Sequence, residues 1–534
     1  MATSLSHIFR GVIVIDGSGA PPFRADVGIG SGIVAAVAPR IDRLADEVVD
    51  ADGLVLAPGF IDIHGHSDLS LFRYPGAESK LFQGVTLEVC GNCGLSAFPV
   101  LPGRETELSG YLAVHEYSLP PGPIPWTDLS SYVAHMEALR PGINLALLVG
   151  HAALRIGAMG LDDRTASPSE LAHMQQQLAS ALDQGAWGMS TGLIYPPGSY
   201  AGRDELVSLA TTVALHGGLC TSHIRGEGDG LMEALDEAVE IALSAGVRMQ
   251  VSHLKALGRN NRGKGSDALD RLATARQRGA DIGADQYPYA ASATSLTAVV
   301  PQWAHAGGVR ALLNRLADPL LKERLVAEIT VEMEKREGAA GIMISSCRSE
   351  GNRKFAGRTI EALAAAWECP AGEAVIRLLA EERAEVPAVF FSMAEEDVRA
   401  ILADPTIAVG SDGHGLNAAE AVGDATHPRS YGCFPRVLGR YVREQGVLDL
   451  PAAIHKMTGL PASRLGIADR GFVREGNVAD LVLFDPSVIA DRADYADPHR
   501  YSTGISHLLI AGKPVIRDGS LTGIRAGRVV RRGR

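Results

Sequence analysis

Eight short apolar runs recur along the chain, and helical segments lie between most of them. The runs are V-L-A-P-G-F-I-D-I, G-V-T-L-E-V-C, N-L-A-L-L-V-G, A-W-G-M-S-T, G-L-C-T-S-H, V-R-M-Q-V-S-H, A-D-I-G-A-D and I-A-V-G-S-D. One intervening segment has a complete helix start, with Ser167 as N-cap, Pro168 in the first turn and Glu170 closing a capping box. Eight strands alternating with helices are typical of a parallel (β/α)8 barrel, and this is the fold that the sequence predicts.

Both chain ends have a different pattern, in which short β-branched runs are broken by Gly, Pro and Asp. G-V-I-V-I-D-G is one such run near the N-terminus, and H-L-L-I-A-G-K-P-V-I-R-D-G repeats the pattern near the C-terminus. The pattern is typical of antiparallel strands. We therefore predict a small β-sandwich domain built from residues 1–56 and 470–534, with the barrel in residues 57–469 between them.

Two long stretches do not fit the strand–helix repeat. The stretch of residues 91–142, between the second and third predicted strands, is long and Pro-rich. The stretch from residue 290 to about 400, before the last predicted strand, contains helical segments such as V-R-A-L-L-N-R-L. Long insertions after barrel strands usually lie over the active-site face. The insertion at about 290–400 is the predicted lid.

Composition and charge exclude several classes of protein. A net charge of −12 argues against nucleic acid or an anionic membrane as a partner, because either favours a basic face. No apolar run approaches the ~20 residues of a membrane span, and no secretory signal follows Met1. The six cysteines are too scattered for a disulfide framework. We expect a reduced, cytoplasmic protein; the sequence leaves its oligomeric state open.

Side chains that bind metals follow the predicted strands, at the end where barrel enzymes have their active sites. They are His64 and His66 after the first strand, Cys93 after the second, His223 after the fifth, His253 after the sixth and Asp412 after the eighth. Imidazole, thiolate and carboxylate are the ligands that zinc prefers. A single histidine at a strand end is more often a hydrogen-bonding residue, but so many candidates on separate strands indicate a metal site.

Cys90 and Cys93 have a second interpretation, because C-x-x-C is also the spacing of thioredoxin-like redox pairs. That interpretation needs the motif at the start of a helix in a different fold. The metal interpretation of Cys93 is therefore favoured.

Longer motifs carry a resemblance to a known family. P-G-F-I-D-I-H-G-H resembles the metal-binding motif of the amidohydrolase superfamily. Motifs similar to those of its N-acyl-D-amino-acid deacylases, or D-aminoacylases, are G-V-T-L-E-V-C-G-N-C-G-L-S, G-M-S-T-G-L-I-Y-P-P-G, C-T-S-H-I-R-G-E-G, V-S-H-L-K, D-Q-Y-P-Y and H-P-R-S-Y-G-C-F-P-R-V-L-G-R-Y-V-R. The segment from K-M-T-G-L-P to L-V-L-F-D resembles the superfamily's return to the β domain, so the resemblance covers nearly the whole chain.

The resemblance implies one tightly bound zinc and a second, weaker metal site. The implied ligands are Cys93, His223 and His253 for the tight site, and His64, His66 and Asp412 for the second. Related hydantoinases and dihydroorotases bridge two metals with a carboxylated lysine on the fourth strand. Residues 81–254 contain no lysine here, which favours the cysteine-ligated type.

The resemblance also implies the catalytic and substrate-binding residues. Asp412 matches the residue that acts first as general base and then as general acid. The alternative is that Asp412 has only a structural role in the S-D-G turn. The residues implied to bind the substrate carboxylate are Lys255, Arg429, Tyr195 and Tyr287. Tyr289 is an alternative to Tyr287, because both tyrosines lie in D-Q-Y-P-Y. The alternative for Lys255 and for Arg429 is that the side chain is a solvated surface charge. The spacer between Asp412 and Arg429 is longer than in shorter family members.

The expected activity is zinc-dependent hydrolysis of N-acyl-D-amino acids, with the D preference implied by the resemblance alone. A cyclic-amide or isoaspartyl-dipeptide hydrolase is the alternative enzyme, against which the missing lysine argues. A non-catalytic scaffold is disfavoured because every ligand is present. Residues 289–304 carry no charged side chain, which favours substrates with apolar side chains. One alternative is that residues 289–304 form only the core of the lid and do not contact the substrate. Another is that Arg310 turns into the pocket and binds an acidic side chain.

Overall fold

The computed structural model describes residues 5–115, 122–421 and 426–533. At its centre is an eight-stranded sheet in which neighbouring strands are parallel. In chain order the strands are Phe60–Asp62, Val85–Cys90, Asn144–Gly150, Gly188–Gly192, Leu219–His223, Arg248–Val251, Ile282–Gln286 and Ile407–Val409. The first and last strands meet at a seam, where a parallel bridge joins Gly65 and Gly413. The predicted (β/α)8 barrel is confirmed as a nearly closed barrel.

Helices separate most of these strands along the chain. Those outside the lid are Ser67–Ser70, Glu78–Leu81, Glu105–His115, Leu129–Ala138, His151–Met159, Pro168–Asp183, Arg203–Leu215, Leu231–Ala245, Lys264–Gln277, Glu395–Ala403, Arg429–Arg436, the π-helix Val437–Glu444, Leu450–Met457 and Gly459–Leu465, with short 3-10 turns at Gly198–Tyr200 and Arg259–Asn261. The predicted capping box is present: the Glu170 amide donates to the Ser167 hydroxyl (3.3 Å), and the Ser167 amide donates to the Glu170 carboxylate (2.8 Å). The sequence therefore fixes this helix start locally.

The first predicted strand is in fact two strands in two different sheets. Val55–Pro58 pairs with Leu481–Phe484 in the terminal sheet, whereas Phe60–Asp62 begins the barrel. Gly59 lies between them, and a Cβ at this position would lie 2.3 Å from the Thr86 side chain. A continuous apolar run carries no signal for this change of sheet.

Strands from both chain ends form one mixed sheet, which confirms the expected β domain. Its nine strands are Leu5–Val14, Phe23–Gly30, Ile33–Ala38, Ala45–Asp50, Val55–Pro58, Leu481–Phe484, Ile505–Ile510, Lys513–Arg517 and Ser520–Leu521. Phe484 of this sheet packs against Phe60 of the barrel, with ring centroids 6.5 Å apart. The sheet is thus joined to the barrel by a common apolar core.

The last residues of the chain return to the barrel. The Leu145 amide donates to the Arg528 carbonyl (3.0 Å), and the Val530 amide donates to the Leu145 carbonyl (2.8 Å). The Trp187 indole N–H also donates to the Val530 carbonyl. The tail therefore lies against the starts of the third and fourth barrel strands. The domain boundaries given above stay a prediction.

The insertion after the seventh strand has its own sheet and core. Its antiparallel strands are Ser292–Ser295, Ile342–Ile344 and Pro387–Phe390; its helices are Gly308–Leu316, Pro319–Glu334, Ile360–Trp367 and Ala371–Glu381, with 3-10 turns at Leu296–Val299, Gln302–His305, Ala339–Gly341 and Arg353–Phe355. Buried side chains such as Leu325, Ile344 and Leu379 form an apolar cluster within it. The insertion thus has a core of its own.

Among the described helices, none has the length and hydropathy needed to span a membrane.

Candidate metal centre and active site

The six residues predicted to bind metal all lie at the C-terminal ends of barrel strands. His223 is the last residue of its strand, and the others follow their strands within four residues. All six side chains are buried. The parallel barrel therefore brings together, at one end, side chains that lie up to 348 positions apart in the sequence, as in the pair His64 and Asp412.

Cys93, His223 and His253 form the first group of candidate ligands. One ligand atom from each lies within 4.8 Å of the others. Cys93 Sγ is 3.4 Å from His253 Nε2, and the rings of His223 and His253 lie 4.3 Å apart at their centroids. One thiolate and two imidazoles are a donor set that fits zinc.

His64, His66 and Asp412 form a second group, which shares Cys93 with the first. Asp412 Oδ1 is 2.9 Å from His66 Nε2 and 3.5 Å from His64 Nε2. His64 Nε2 is also 3.4 Å from Cys93 Sγ. Cys93 is therefore shared by the two groups of candidate ligands.

Three of these residues have a left-handed backbone conformation. The φ angles are +54° at Cys93, +37° at His253 and +51° at Asp412. Residues other than glycine rarely adopt this conformation, which costs on the order of 1–3 kcal/mol and persists where the surrounding structure enforces it. The strand ends are thus turned to direct these side chains into one space.

The site favours the anionic form of Cys93. Burial raises the pKa of the thiol, but the charges of His64 and His253 outweigh this and hold the pKa of Cys93 well below its ordinary value. Cys90 behaves in the opposite way, because burial and the neighbouring Glu88 raise its pKa well above the ordinary value. The thiolate is the form that binds metal, so the two cysteines of C-x-x-C are chemically distinct.

The histidines show that the site attracts positive charge. Burial disfavours protonated His64, but Asp285 and Cys93 outweigh it and raise the pKa of His64 to about 10. Glu227 and Cys93 likewise outweigh burial at His223 and raise its pKa to about 9. A bound zinc ion would take the place of these protons, and the residues present therefore fit a zinc site.

Arg429 lies beside Asp412, despite the long spacer between them. Its guanidinium nitrogen Nη1 is 2.8 Å from Asp412 Oδ2, and its Nη2 donates to the Ala293 carbonyl (3.2 Å). The guanidinium also lies over the Tyr287 ring, 4.9 Å from its centroid. Arg429 is buried, so the alternative of a solvated surface charge is wrong for it.

Lys255 is buried as well, and the surface alternative is wrong for it too. Its ammonium group donates to Glu227 Oε1 (2.5 Å) and lies 2.6 Å from His253 Nδ1. It also lies 5.6 Å from the centroid of the Tyr287 ring. Lys255 and Arg429 thus approach Tyr287 together.

The tyrosines differ in their position relative to the site. Tyr287 lines the cavity beside the candidate ligands, whereas the Tyr289 hydroxyl donates to the Pro428 carbonyl and Tyr289 lies outside that lining. Tyr195 packs edge-on against His223 with ring centroids 5.0 Å apart, and its hydroxyl is 2.9 Å from the Thr294 hydroxyl. Tyr195 therefore joins the barrel end to the first strand of the lid.

These groups open onto a cavity of about 700 Å³ between the barrel and the lid. The lid contributes Ser292–Ser295, Ala298, Arg336, Ser345–Arg348, Arg353 and Phe390 to its wall. A cavity of this size is in the range of sites that enclose a small molecule. The predicted position of the lid over the candidate site agrees with this lining.

Two residues of the site were missed by the sequence analysis, namely Glu227 and Asp285. Glu227 faces both His253 Nδ1 (3.1 Å) and His223 Nε2 (3.5 Å). Asp285 accepts a hydrogen bond from the His253 amide (2.8 Å) and lies 3.1 Å from His64 Nδ1. Asp285 is the last residue of A-D-I-G-A-D, and Glu227 is in H-I-R-G-E-G, so the sequence signal for both is a carboxylate close to the end of a barrel strand.

Comparison with known proteins identifies the family of the chain. A family model described as "Amidohydrolase family" matches residues 47–516. N-acyl-D-glutamate deacylase of Alcaligenes xylosoxydans xylosoxydans is 38% identical over 535 residues, covering 100% of this chain and 98% of the relative. The chain belongs to the amidohydrolase superfamily and, within it, to the N-acyl-D-amino-acid deacylase family.

Solved structures of relatives are similar over the whole chain. The crystal structure of N-acyl-D-glutamate deacylase from Bordetella bronchiseptica, complexed with zinc and a phosphonate inhibitor, is 36% identical with a TM-score of 0.84, covering 99% of this chain and 100% of that one. A D-aminoacylase described as having a binuclear metal centre is 33% identical with a TM-score of 0.82 and the same coverage. This chain is accordingly an amidohydrolase of the deacylase family with a candidate metal site.

Proposed function

We propose that this protein uses zinc to hydrolyse the amide bond of N-acyl-D-amino acids, releasing a carboxylate and a free D-amino acid. The observation that carries the proposal is the convergence of two kinds of group in one cavity. A zinc-type donor set that includes Cys93 and Asp412 lies beside two buried cations, Lys255 and Arg429. The first suits an amide carbonyl, and the second suits the carboxylate of an amino acid.

We assign the tight zinc to Cys93, His223 and His253, and a second, weaker metal position to His64, His66 and Asp412. Bound zinc lowers the pKa of a water molecule to about 7 and polarises a carbonyl, which is what hydrolysis of an unreactive amide needs. This subtype needs no bridging lysine, in agreement with the lysine-free fourth strand.

Asp412 is the proton carrier in this proposal. Burial raises its pKa, but Arg429 and neighbouring histidines outweigh this and hold the pKa of Asp412 well below its ordinary value. Its carboxylate is therefore available to accept the proton of the attacking water and then to return it to the leaving nitrogen.

Arg429 and Lys255 orient the substrate by its carboxylate. The planar guanidinium suits two-point binding of a carboxylate, and the ammonium group supplies a point charge. Tyr287 lies against both, and Tyr195 closes the cavity on the His223 side. Fixing the carboxylate places the amide at a constant distance from Asp412.

We further propose that the enzyme favours apolar side chains. Residues 292–295 and Ala298, which are two alanines and three small hydroxyl-bearing residues, form an uncharged part of the cavity wall. Each CH₂ buried there contributes about 0.8 kcal/mol. Arg310 is exposed on its helix and lies outside the cavity lining, which supports the same preference.

An acidic side chain is the second candidate. Arg336, Arg348 and Arg353 line the same cavity from the lid. Arg336 already donates to the Ala298 carbonyl, and Arg348 forms an ion pair with Glu385. A carboxylate in the substrate side chain would compete with these contacts.

A kinetic screen tests both the proposed deacylase activity and the proposed preference for apolar side chains. Zinc-loaded enzyme is assayed with N-acetyl-D-Leu, N-acetyl-L-Leu and N-acetyl-D-Glu, and kcat/KM is compared. We expect hydrolysis of the D-leucine derivative above the other two. Absence of D-amino acid release from any N-acyl substrate contradicts the activity, and a higher kcat/KM for the glutamate derivative contradicts the apolar preference and favours a lid arginine as its partner.

A further inference from the structure

Lys80 is a fully buried lysine in the seam between the first and last barrel strands. Its ammonium group donates to Asp62 Oδ2 (2.7 Å), to the Ser411 hydroxyl (2.8 Å) and to the Gly413 carbonyl (3.1 Å). It also lies 3.2 Å from Glu88 Oε2. One cation thus joins the ends of the first, second and eighth strands.

Two of these contacts flank Asp412 on either side in the sequence. The Ser411 amide donates to Asp62 Oδ1 (2.8 Å), so Asp62 holds the same residue through its backbone. The Gly413 carbonyl accepts from the His66 amide (3.0 Å) as well as from Lys80. The backbone of Asp412 is therefore fixed between two residues that Lys80 binds.

The backbone of Asp412 needs such support. Its φ is +51°, and its amide donates to the His64 carbonyl (2.7 Å), which aligns it with the H-G-H segment. A left-handed aspartate persists only where its neighbours enforce the conformation. The contacts on Ser411 and Gly413 supply that constraint.

Stability alone is a weak reason for this cluster. Replacing a buried ion pair by well-packed apolar side chains is often neutral or stabilising. A seam closed only for stability has no need of a cation. A lysine ammonium group has three N–H donors, so it can hold the Ser411 hydroxyl and the Gly413 carbonyl in place at the same time.

We propose that Lys80 is a positioning residue, which holds Asp412 in register with His64 and His66 by binding Ser411 and Gly413 on either side of it. Its kinetic consequence rests on the proposed hydrolysis, whereas its effect on metal binding rests only on the second metal position assigned to His64, His66 and Asp412. Lys80 lies outside both groups of candidate ligands and is too deeply buried to reach the substrate cavity, whose lining does not include it.

The first experiment compares Lys80→Met with Lys322→Met. Lys322 is an exposed lysine paired with Glu373 on the lid and serves as the surface control. We expect Lys80→Met to lower kcat about 10- to 100-fold, the usual loss for an outer-shell partner, with KM little changed. Lys322→Met keeps wild-type kcat.

A double-mutant comparison separates positioning from a general structural role. If Lys80 acts through Asp412, Lys80→Met causes little further loss in an Asp412→Asn enzyme. If Lys80→Met lowers kcat by the same factor in the wild-type enzyme and in the Asp412→Asn enzyme, the inference is overturned. Ser411→Ala removes one hydroxyl and no charge, should lower kcat in the same direction, and decides the test if Lys80→Met does not fold.

Cobalt titration tests the inference without turnover. We expect the first equivalent of Co²⁺ to bind each variant with a wild-type thiolate charge-transfer band, and the second equivalent to bind about 10- to 100-fold more weakly in Lys80→Met and Ser411→Ala. Wild-type affinity for the second equivalent together with wild-type kcat overturns the inference. If the wild-type protein releases no amino acid, the proposed function fails, and the second-equivalent affinity alone decides the role of Lys80.

Discussion

Arg429 Nη1 lies 2.8 Å from Asp412 Oδ2, so the residue that we propose to bind the substrate carboxylate contacts the one that we propose to carry the proton. Both side chains are buried. The contact holds the pKa of Asp412 well below its ordinary value. In the proposed function, a substrate carboxylate would compete with Asp412 for the same guanidinium, which would couple substrate binding to release of the Asp412 carboxylate.

Replacing Arg429 by Gln should raise KM and lower kcat/KM about 10- to 100-fold, because a charge-assisted hydrogen bond contributes about 1.5–3 kcal/mol. Zinc content should be unchanged, since Arg429 has no metal-binding atom. The exposed Arg310→Gln is the control and keeps wild-type kinetics. An Arg429→Gln enzyme with wild-type KM would remove Arg429 from substrate binding.

Cys93→Ala should lose the tightly bound zinc and the activity together, because it removes the only thiolate of the site among the described residues. Cys90→Ala is the matched control, because Cys90 lies three residues earlier and is also buried. It should keep the metal, since Cys90 is held as a neutral thiol beside Glu88. Elemental analysis after dialysis decides, and full zinc in Cys93→Ala would contradict the ligand assignment.

The barrel and the strand-end residues could be predicted because both depend on local patterns. Short, nearly continuous apolar runs separated by helical segments define the strands, and parallel strands bring their C-terminal ends together. His64, His66, Cys93, His223, His253 and Asp412 therefore had to converge once the strands were identified.

The polar network behind these residues could not be predicted in the same way. Lys80 and Glu88 carry charges that usually lie in solvent, and their burial depends on contacts between distant segments. The change of sheet at Gly59 depends on the close approach of Thr86. Such features follow from tertiary packing, which a single sequence does not display.

Asp412→Asn should leave the tight zinc in place and lower kcat by roughly 10²–10⁴, the range for loss of a general acid–base group. The amide of asparagine keeps the shape of the side chain but does not accept the proton of water. Steady-state kinetics with parallel zinc analysis measure the effect. A near-wild-type kcat would exclude Asp412 from proton transfer.

Glu227→Gln should weaken zinc binding about 10- to 100-fold, because a carboxylate that holds a metal-binding histidine fixes its orientation and raises its basicity. Glu227 faces His253 and His223 and also neutralises Lys255. Glu233→Gln, on the exposed face of the helix Leu231–Ala245, is the control. Competition with a chelator measures the affinity, and equal values for the two variants would show that Glu227 has no such role.

Glu205 should stabilise the fold in a pH-dependent way. It accepts hydrogen bonds from His151 (2.7 Å) and Arg155 (2.5 Å), all three being buried. Burial raises the pKa of Glu205, but these partners outweigh it and lower the pKa from 4.5 to about 2. Because the folded-state pKa lies below the unfolded one, the stabilisation is fully present above about pH 4.5 and is lost as the pH falls towards 2.

Glu205→Gln should therefore be less stable than wild type at pH 7, by on the order of 3 kcal/mol. The difference should shrink as the pH falls from 4.5 towards 2, because the unfolded chain takes up a proton at Glu205 that the folded protein, with its pKa at about 2, does not yet take up. Urea unfolding midpoints at pH 7, 4 and 3 measure the difference, with Glu233→Gln as a surface control whose effect stays below about 1 kcal/mol. A difference that stays constant from pH 7 to 3 would mean that Glu205 contributes by packing and neutral hydrogen bonds, and not through its lowered pKa.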